Sequence, residues 1–187
     1  MKKKKKVVKQ IKTIKRKKKT RVYIGGTFDL FHHGHVNLIK YGKTIADEVV
    51  VSLNTDEFNL QYKGRKPVMT LEERMIVVEA CRYVDKVDVN DGGYDSKPAI
   101  LRNKPDFILH GDNSVGATEM KRLMIDETFL KKNKIKLIYF PLVNGVSTTE
   151  LRRRTRSKSR RQGPIDTRSN EVPETARNKK PRNGSKK

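Results

Sequence analysis

The chain has 187 residues, the length of one compact domain, and a formal net charge of +23. The charge lies at the two ends: residues 1–20 hold twelve Lys and Arg, residues 152–187 have a net charge of +11, and residues 21–151 are neutral. No apolar run approaches the roughly 20 residues of a membrane span or follows the first lysines as in a secretory signal. The single Cys81 excludes an internal disulfide and fits a reducing compartment, so we expect a cytoplasmic protein without a transmembrane segment.

The basic ends are predicted to be disordered arms, residues 1–20 and 155–187, which flank one domain over residues 21–154. Segments this rich in Lys, Arg, Ser and Pro bury too little apolar surface to offset the entropy that is lost on ordering. Arms of this charge could contact nucleic acid without sequence preference, or bind an anionic surface.

The first part of the domain alternates between strand and helix signals. Residues 21–26 form an apolar run that ends in two glycines, and residues 48–54 form a second such run. Both are typical of buried strands in a parallel sheet. Between them, apolar residues recur at helical spacing from His35 to Ile45, which predicts a helix.

The second part continues the alternation and sets the fold class. Residues 55–69 are polar, with Lys-Gly and Lys-Pro breaks, and predict a loop, whereas Thr70 and Glu73 form a capping box that predicts a helix start. Further strands are predicted within 83–90, 105–112 and 134–141, and helices within 99–104, 117–132 and from 147 onwards. This order predicts an α/β fold, a Rossmann-like doubly wound sheet of five parallel strands, with ligands at the carboxyl ends of the strands.

Three of the four histidines, His32, His33 and His35, stand in the stretch GGTFDLFHHGH between the first strand and the first helix. The free N–H groups at a helix N-terminus bind anions, and glycines let the backbone approach a ligand closely. Imidazoles at positions 32 and 35 could face one anion, as phosphoryl transfer requires. A zinc site, or histidines that only cap or fill the core, remain alternatives, although we assign no metal ligand. A P-loop is excluded because its motif does not occur.

At this point the sequence resembles a known family. The stretch GGTFDLFHHGHVNLI resembles the signature of the HxGH nucleotidyltransferase superfamily. The stretches NTDEFNLQ, KGRKPVMTLEERMIVVEACRYVDKV and GVSTTELRRR are similar to its cytidylyltransferase branch, and most closely to the glycerol-3-phosphate type. The resemblance implies transfer of CMP from CTP to a phosphate monoester, release of pyrophosphate, Mg²⁺ as the counter-ion of CTP, and a homodimer.

The resemblance also implies roles for individual residues. His32, His35 and Lys63 would be catalytic, and Lys63 and Arg82 would bind the acceptor or a phosphate. His33 fills a variable position and is given no role. The residues implied to bind the nucleotide are Thr27, Phe28, His32, His35, Asp112, Ser147, Thr148 and Thr149. Several also have a purely structural interpretation: Ser147 as a helix cap, Arg82 as a salt-bridge partner, and Arg74, outside the set, as the partner of a glutamate.

The stretch GVSTTELRRR resembles the second signature of the family, R-T-x-G-I-S-T-T, but the residues before it depart from the family pattern. Leu142 and Val143 stand where the family has an arginine that grips the triphosphate, followed by a threonine. Loss of a charge-assisted phosphate contact costs about 1.5–3 kcal/mol. Arg152 or Arg153 could replace the arginine. Otherwise the protein is a weak enzyme, one of altered nucleotide preference, or only a nucleotide binder.

The sequence leaves the acceptor and two further functions open. Glycerol 3-phosphate is the leading acceptor, and ethanolamine phosphate, choline phosphate and sugar or polyol phosphates are alternatives. The chain could instead be an adenylyltransferase of the same fold that acts on a flavin or another phosphate. It could also be a weakened nucleotide-binding protein whose arms bind nucleic acid.

Overall fold

The computed structural model describes residues 18–112, 124–141 and 147–159. Within these ranges the side chains of Asp112 and of residues 156–159 are not described. Most of the two predicted arms, together with Leu142 and Val143, therefore lies outside the described residues.

The described residues form five strands and six helices, with two helices instead of one after the second strand. The strands are β1 (Arg21–Gly26), β2 (Glu48–Asn54), β3 (Lys86–Asn90), β4 (Phe107–Asp112) and β5 (Lys136–Pro141). The helices are α1 (His33–Ile45), α2 (Asp56–Lys63), α3 (Leu71–Glu79), α4 (Lys97–Asn103), α5 (Glu127–Asn133) and α6 (Thr148–Ser159).

All five strands are parallel and lie in the order β3-β2-β1-β4-β5. This order confirms the predicted doubly wound α/β fold. From β1, the strands β2 and β3 are added on one side of the sheet and β4 and β5 on the other. The point between β1 and β4 is therefore a topological switch point, which opens a crevice at the carboxyl ends of the strands. The glycines that end β1 and the stretch His110–Asp112 at the end of β4 lie on the two sides of that crevice.

Apolar side chains cover both faces of the sheet. Val22, Ile24 and Val49 belong to one buried cluster, whereas Tyr23 and Val50 belong to a second one. The alternation along β1 and β2 follows from the two-residue period of a strand. Because both faces are buried, these strands appear in the sequence as continuous apolar runs.

Two predicted elements differ from the structure. The loop prediction for residues 55–69 was wrong for its first half, because α2 occupies Asp56–Lys63. The Thr55 hydroxyl accepts the Phe58 N–H at its start, and Gly64, at φ 65°, ends it in the left-handed conformation that glycine adopts without strain. Of the helix predicted within 117–132, the described part forms only from Glu127 onwards, after a cap at Asp126.

The chain divides into two compact units, Met1–Leu151 and Arg152–Lys187. The first contains the whole sheet. The described residues of the second are the remainder of α6, which continues to Ser159, beyond residue 154 where the predicted domain ends. Across the described ranges, every helix is too short or too polar to span a bilayer.

Candidate active site

The loop between β1 and α1 is held in an unusual backbone conformation. Phe28 and Leu30 both have positive φ angles, 54° and 47°, a region that costs free energy for side chains of this size. Phe28 is nevertheless buried, and its ring lies 5.1 Å from that of His35, centroid to centroid. Strain of this kind persists only where the surroundings fix it, which is common at functional sites.

His32 and His35 cap helix α1 reciprocally. His32 is the N-cap, and its Nδ1 accepts the Gly34 N–H at 3.1 Å. The His35 Nδ1 accepts the His32 N–H at 3.4 Å, and the two rings stack 3.8 Å apart. Because both Nδ1 atoms accept a backbone N–H, each neutral imidazole carries its proton on Nε2. The structure therefore supplies two Nε2–H donors side by side at a helix N-terminus.

Both imidazoles are neutral near pH 7. Burial, with the neighbouring His32, lowers the pKa of His35 from 6.5 to about 3, against an opposing effect of Asp29. Burial and then the nearby His33 lower the pKa of His32. Two stacked imidazolium ions would repel each other, and a protonated Nδ1 could not accept a backbone N–H. The pair is thus suited to donate hydrogen bonds to an anion, without carrying charge itself.

Lys63 brings a positive charge to the same loop. Its Nζ donates to the Thr27 hydroxyl at 3.2 Å, and that hydroxyl donates to Asn59 Oδ1 at 2.6 Å. Lys63 and Asn59 both lie on α2, the helix that follows β2. A lysine at the end of this helix therefore lies directly beside the loop that carries the two histidines.

Arg74 lies in the core and connects the ends of β1 and β2 to the loop before α3. Its guanidinium is fully buried and donates to the backbone carbonyls of Thr27, Asn54 and Met69 and to the carboxylate of Asp56. A buried charge is stable only when it is paired and hydrogen-bonded in this way. Arg74 thus pairs with an aspartate rather than a glutamate, and it fixes the loop after β1 relative to α2.

Asp29 and Thr148 connect the histidine loop to its neighbours. The buried Asp29 carboxylate accepts the N–H groups of Val68 and Met69. The Thr148 hydroxyl donates to the Asp29 carbonyl at 2.9 Å. The N-terminus of α6 and the loop before α3 therefore both meet the β1–α1 loop at Asp29.

A cavity of roughly 170 Å³ opens at the carboxyl ends of the strands. Gly26, Thr27, Lys63 and His110 are among its lining residues, so it lies next to the histidine loop and reaches β4. Its volume suits a small molecule, since pockets for drug-sized ligands occupy about 300–1,000 Å³.

Comparison with known proteins identifies the family. A family profile described as Cytidylyltransferase-like matches residues 23–154. The chain belongs to the cytidylyltransferase-like family. It is an enzyme of the nucleotidyltransferase type, and its Rossmann-like sheet agrees with that assignment.

Relatives of this family member differ in the activity that their names state. The chain is 36% identical over 127 residues to glycerol-3-phosphate cytidylyltransferase of Bacillus subtilis, covering 68% of this chain and 90% of that protein. It is 41% identical over 106 residues to FAD synthase of Pyrococcus horikoshii, covering 56% and 72%. A lipopolysaccharide core biosynthesis protein of Thermoplasma volcanium shares the fold, with a TM-score of 0.58 at 24% identity, covering 67% and 99%.

The structure brings together several of the residues named from the sequence. Thr27, Phe28, His32, His35 and Lys63 lie on one loop and the helix beside it, with Thr148 bonded to that loop. His33 is exposed and outside this group. Their catalytic and binding roles stay predictions.

Other predicted residues of this cytidylyltransferase-like chain lie elsewhere. Arg82 is exposed after α3, with its Cζ 5.8 Å from the centre of the Tyr83 ring, and is not among the cavity-lining residues. Ser147 accepts the Glu150 N–H as the predicted helix cap, and Thr149 is exposed. Asp112 ends β4, and its side chain is not described.

Sequence reasoning missed several residues of the site. Asn59, which fixes Thr27, was overlooked because α2 was taken for a loop. His110 was placed at a strand end but given no role, although it lines the cavity. No three histidine, cysteine or acidic side chains in the described ranges are grouped as metal ligands would be.

Proposed function

We propose that this enzyme transfers CMP from CTP to a small phosphate monoester and releases pyrophosphate. The observation that carries the proposal is the reciprocal cap, which leaves the Nε2–H groups of His32 and His35 as paired neutral donors on the loop that Lys63 contacts at Thr27. Such donors suit phosphate oxygens on which charge develops during phosphoryl transfer. Glycerol 3-phosphate is the leading acceptor, and the product is then a CDP-alcohol.

The proposed reaction is one in-line displacement. An oxygen of the acceptor phosphate forms a bond to the α-phosphorus of CTP, while the bond from that phosphorus to the α,β-bridging oxygen breaks. The electron pair leaves on pyrophosphate, and no proton needs to move, because the acceptor phosphate is already ionised. Catalysis then consists of positioning the two reactants and stabilising charge on the phosphate oxygens.

Each residue has one task in this scheme. His32 and His35 donate Nε2–H groups to phosphate oxygens, and Lys63 provides positive charge near Thr27. Mg²⁺ enters with CTP as its counter-ion and is part of the substrate. Asp112, Ser147, Thr148 and Thr149 are proposed nucleotide contacts, and Arg82 a proposed contact of the acceptor phosphate.

The test is pyrophosphate release by the full chain with Mg²⁺. CTP and ATP are each paired with glycerol 3-phosphate, ethanolamine phosphate, choline phosphate and flavin mononucleotide. Release with CTP and glycerol 3-phosphate, absent with ATP, is expected. Release only with ATP and the flavin would replace the proposal by adenylyl transfer.

Adenylyl transfer is the second candidate because the Pyrococcus horikoshii relative is an FAD synthase at 41% identity. Leu142 bears on the nucleotide in either case. If the missing arginine limits nucleotide affinity, Leu142→Arg tightens CTP binding by about ten- to a hundredfold.

The homodimer and the role of the arms are also proposals. Ile76 and Val77 are exposed on α3, close in sequence to Arg82, and suit an interface between two copies. Sedimentation that shows a dimer for the wild type and a monomer for Ile76→Glu would support this interface.

The arms are tested by deletion. Removal of residues 1–17 and 160–187 should abolish binding to DNA while turnover survives.

A further inference from the structure

Three buried polar atoms near the cavity have no hydrogen-bond partner among the described residues. They are Tyr23 Oη, Ser52 Oγ and Asn90 Oδ1. The three residues are at most 3% exposed. A buried polar atom without a partner costs free energy, so a cluster of them in an enzyme needs an explanation. The Ser52 hydroxyl is close enough to Tyr23 to lower its pKa, but the two hydroxyls do not meet in hydrogen-bond geometry.

The Asn90 side chain is fixed with its oxygen free. Its Nδ2 donates to Asn54 Oδ1 at 3.1 Å, to Ser96 Oγ at 3.2 Å and to the Gly93 carbonyl at 3.3 Å. The Gly93 carbonyl can only accept, so the nitrogen of the amide faces it, because the reverse orientation would set oxygen against oxygen. The Asn90 Oδ1 is therefore a positioned acceptor that lacks a donor.

The free atoms adjoin the cavity. Tyr23 and Asn90 line it, and Ser52 lies in the same layer of the sheet, since it pairs in register with Gly25. A Cβ atom at Gly25 would lie 3.2 Å from Cε1 of the Tyr23 ring. The glycine thus keeps the space above that ring open. Tyr23, Ser52 and Asn90 are called the polar floor of the cavity.

The charges around the cavity do not favour a cation. Among the described residues, those that line it include Lys63 and no carboxylate. Asp88 and Asp91 help raise the pKa of Tyr23 to about 12, after burial, but both are paired with Arg102. An ammonium group placed on the floor would therefore lose its hydration without gaining a free counter-ion.

Aromatic rings at the cavity favour a quaternary ammonium ligand. Phe58 and Tyr62 line the cavity and could attract a quaternary ammonium group. However, these two rings stack on each other, 5.6 Å apart with 6° between their planes, and Tyr94 meets both edge-on. The stacked rings contact each other in part, whereas the floor atoms have no hydrogen-bond partner in the described ranges.

We propose that the cavity binds the hydroxylated carbon chain of the acceptor, and that Tyr23 and Asn90 select a polyol phosphate over an amino-alcohol phosphate. This rests on the proposed transfer to a phosphate monoester. Hydroxyl groups of the ligand donate to Asn90 Oδ1 and accept from Tyr23 Oη, so both atoms gain partners. A trimethylammonium group can do neither, and a site built for a hydroxyl rejects an analogue that lacks one.

The test measures binding by calorimetry, with and without α,β-methylene-CTP, so that it does not depend on turnover. The probes are glycerol 3-phosphate, propyl phosphate, which lacks the free hydroxyls, and choline phosphate. The proteins are the wild type, Tyr23→Phe, Asn90→Asp and the matched control Tyr41→Phe, whose ring packs against Phe140. The wild type should bind glycerol 3-phosphate at least about tenfold more tightly than either other probe.

Tyr23→Phe should remove about a factor of five to ten of the affinity for glycerol 3-phosphate and leave that for propyl phosphate unchanged. Its melting temperature without ligand should not fall, because the deleted hydroxyl has no hydrogen-bond partner among the residues that the structure describes. Asn90→Asp should raise the affinity for choline phosphate relative to glycerol 3-phosphate, since it adds a carboxylate. Tyr41→Phe should change none of these values.

Two results would overturn the inference: equal or tighter binding of propyl or choline phosphate by the wild type, or unchanged binding of glycerol 3-phosphate by Tyr23→Phe. Absence of binding by all probes would overturn it as well. If the selectivity holds but no nucleotide is transferred to glycerol 3-phosphate, the proposed reaction fails and the polyol site stands. The two claims are thus distinguishable.

Discussion

The side-chain hydroxyl of Thr148 donates a 2.9 Å hydrogen bond to the backbone carbonyl of Asp29. The two residues are 119 positions apart in sequence and belong to the two signature stretches of the family. The bond fixes the N-terminus of α6 against the loop that carries His32 and His35. The two stretches are therefore joined by a direct hydrogen bond.

Thr148→Val should test this link. The variant keeps the shape of the side chain but leaves the Asp29 carbonyl without its donor, at a cost of about 0.5–1.5 kcal/mol. We expect kcat/KM for the nucleotide to fall by about three- to tenfold. Thr148→Ser, which keeps the hydroxyl, is the control and should stay near the wild type. Equal kinetics for the valine and serine variants would show that the bond is irrelevant to turnover.

His35→Asn should separate the two roles of the imidazole. The asparagine oxygen can accept the His32 N–H in place of Nδ1, but no N–H group replaces the Nε2 donor. We expect a folded protein with kcat reduced by about 10²–10³, the typical loss of one preorganised donor. Denaturant unfolding measured together with turnover checks both halves of the prediction.

The matched control is His33→Asn, because His33 is the exposed histidine between His32 and His35 in the sequence. It should retain turnover within about twofold, because surface substitutions usually change little. An equal loss in both variants would contradict a specific role for His35.

Arg74→Met should destabilise the protein by about 3–5 kcal/mol, because it leaves the Asp56 carboxylate and three carbonyls without a buried partner. Chemical unfolding measures the effect. Lys131→Ala breaks an exposed helical ion pair with Glu127 and should cost at most about 0.5 kcal/mol. Similar losses in the two variants would mean that Arg74 does not hold the loops together.

Acidification should destabilise the wild type through His35. Its pKa falls from 6.5 to about 3 on folding, so between these values the unfolded chain binds a proton that the folded protein does not. The free energy of unfolding therefore decreases as the pH is lowered from about 7 to about 4. His35→Asn lacks this group and should lose less stability over the same range. Parallel pH dependences of the two proteins would contradict a buried, neutral His35.

The sheet could be predicted because its strands have one pattern. Residues 21–26 and 48–54 are apolar throughout, since both faces of β1 and β2 are buried, and turn-forming residues mark their ends. Helix α2 was missed for the opposite reason. Its sequence is polar, and it is defined by a threonine cap at Thr55 and by Gly64 rather than by an apolar face.

The site could be predicted only in part. The histidine pair follows from the family signature, but the reciprocal cap depends on side-chain rotamers that spacing does not determine. Full burial of Arg74 was not expected, because arginine is almost never fully buried unless it is paired. The polar floor at Tyr23 and Asn90 lies on strands 67 positions apart in sequence, which only the strand order brings together.

The most direct measurement is ³¹P NMR of the full chain with CTP, Mg²⁺ and glycerol 3-phosphate, with His35→Asn beside it. The account predicts that the resonances of CTP and of the monoester disappear in the wild type. The paired resonances of a CDP-alcohol diphosphate and a pyrophosphate signal should replace them, about a hundredfold more slowly in the variant. No reaction by a folded wild type, while ATP and flavin mononucleotide do react, would contradict the account.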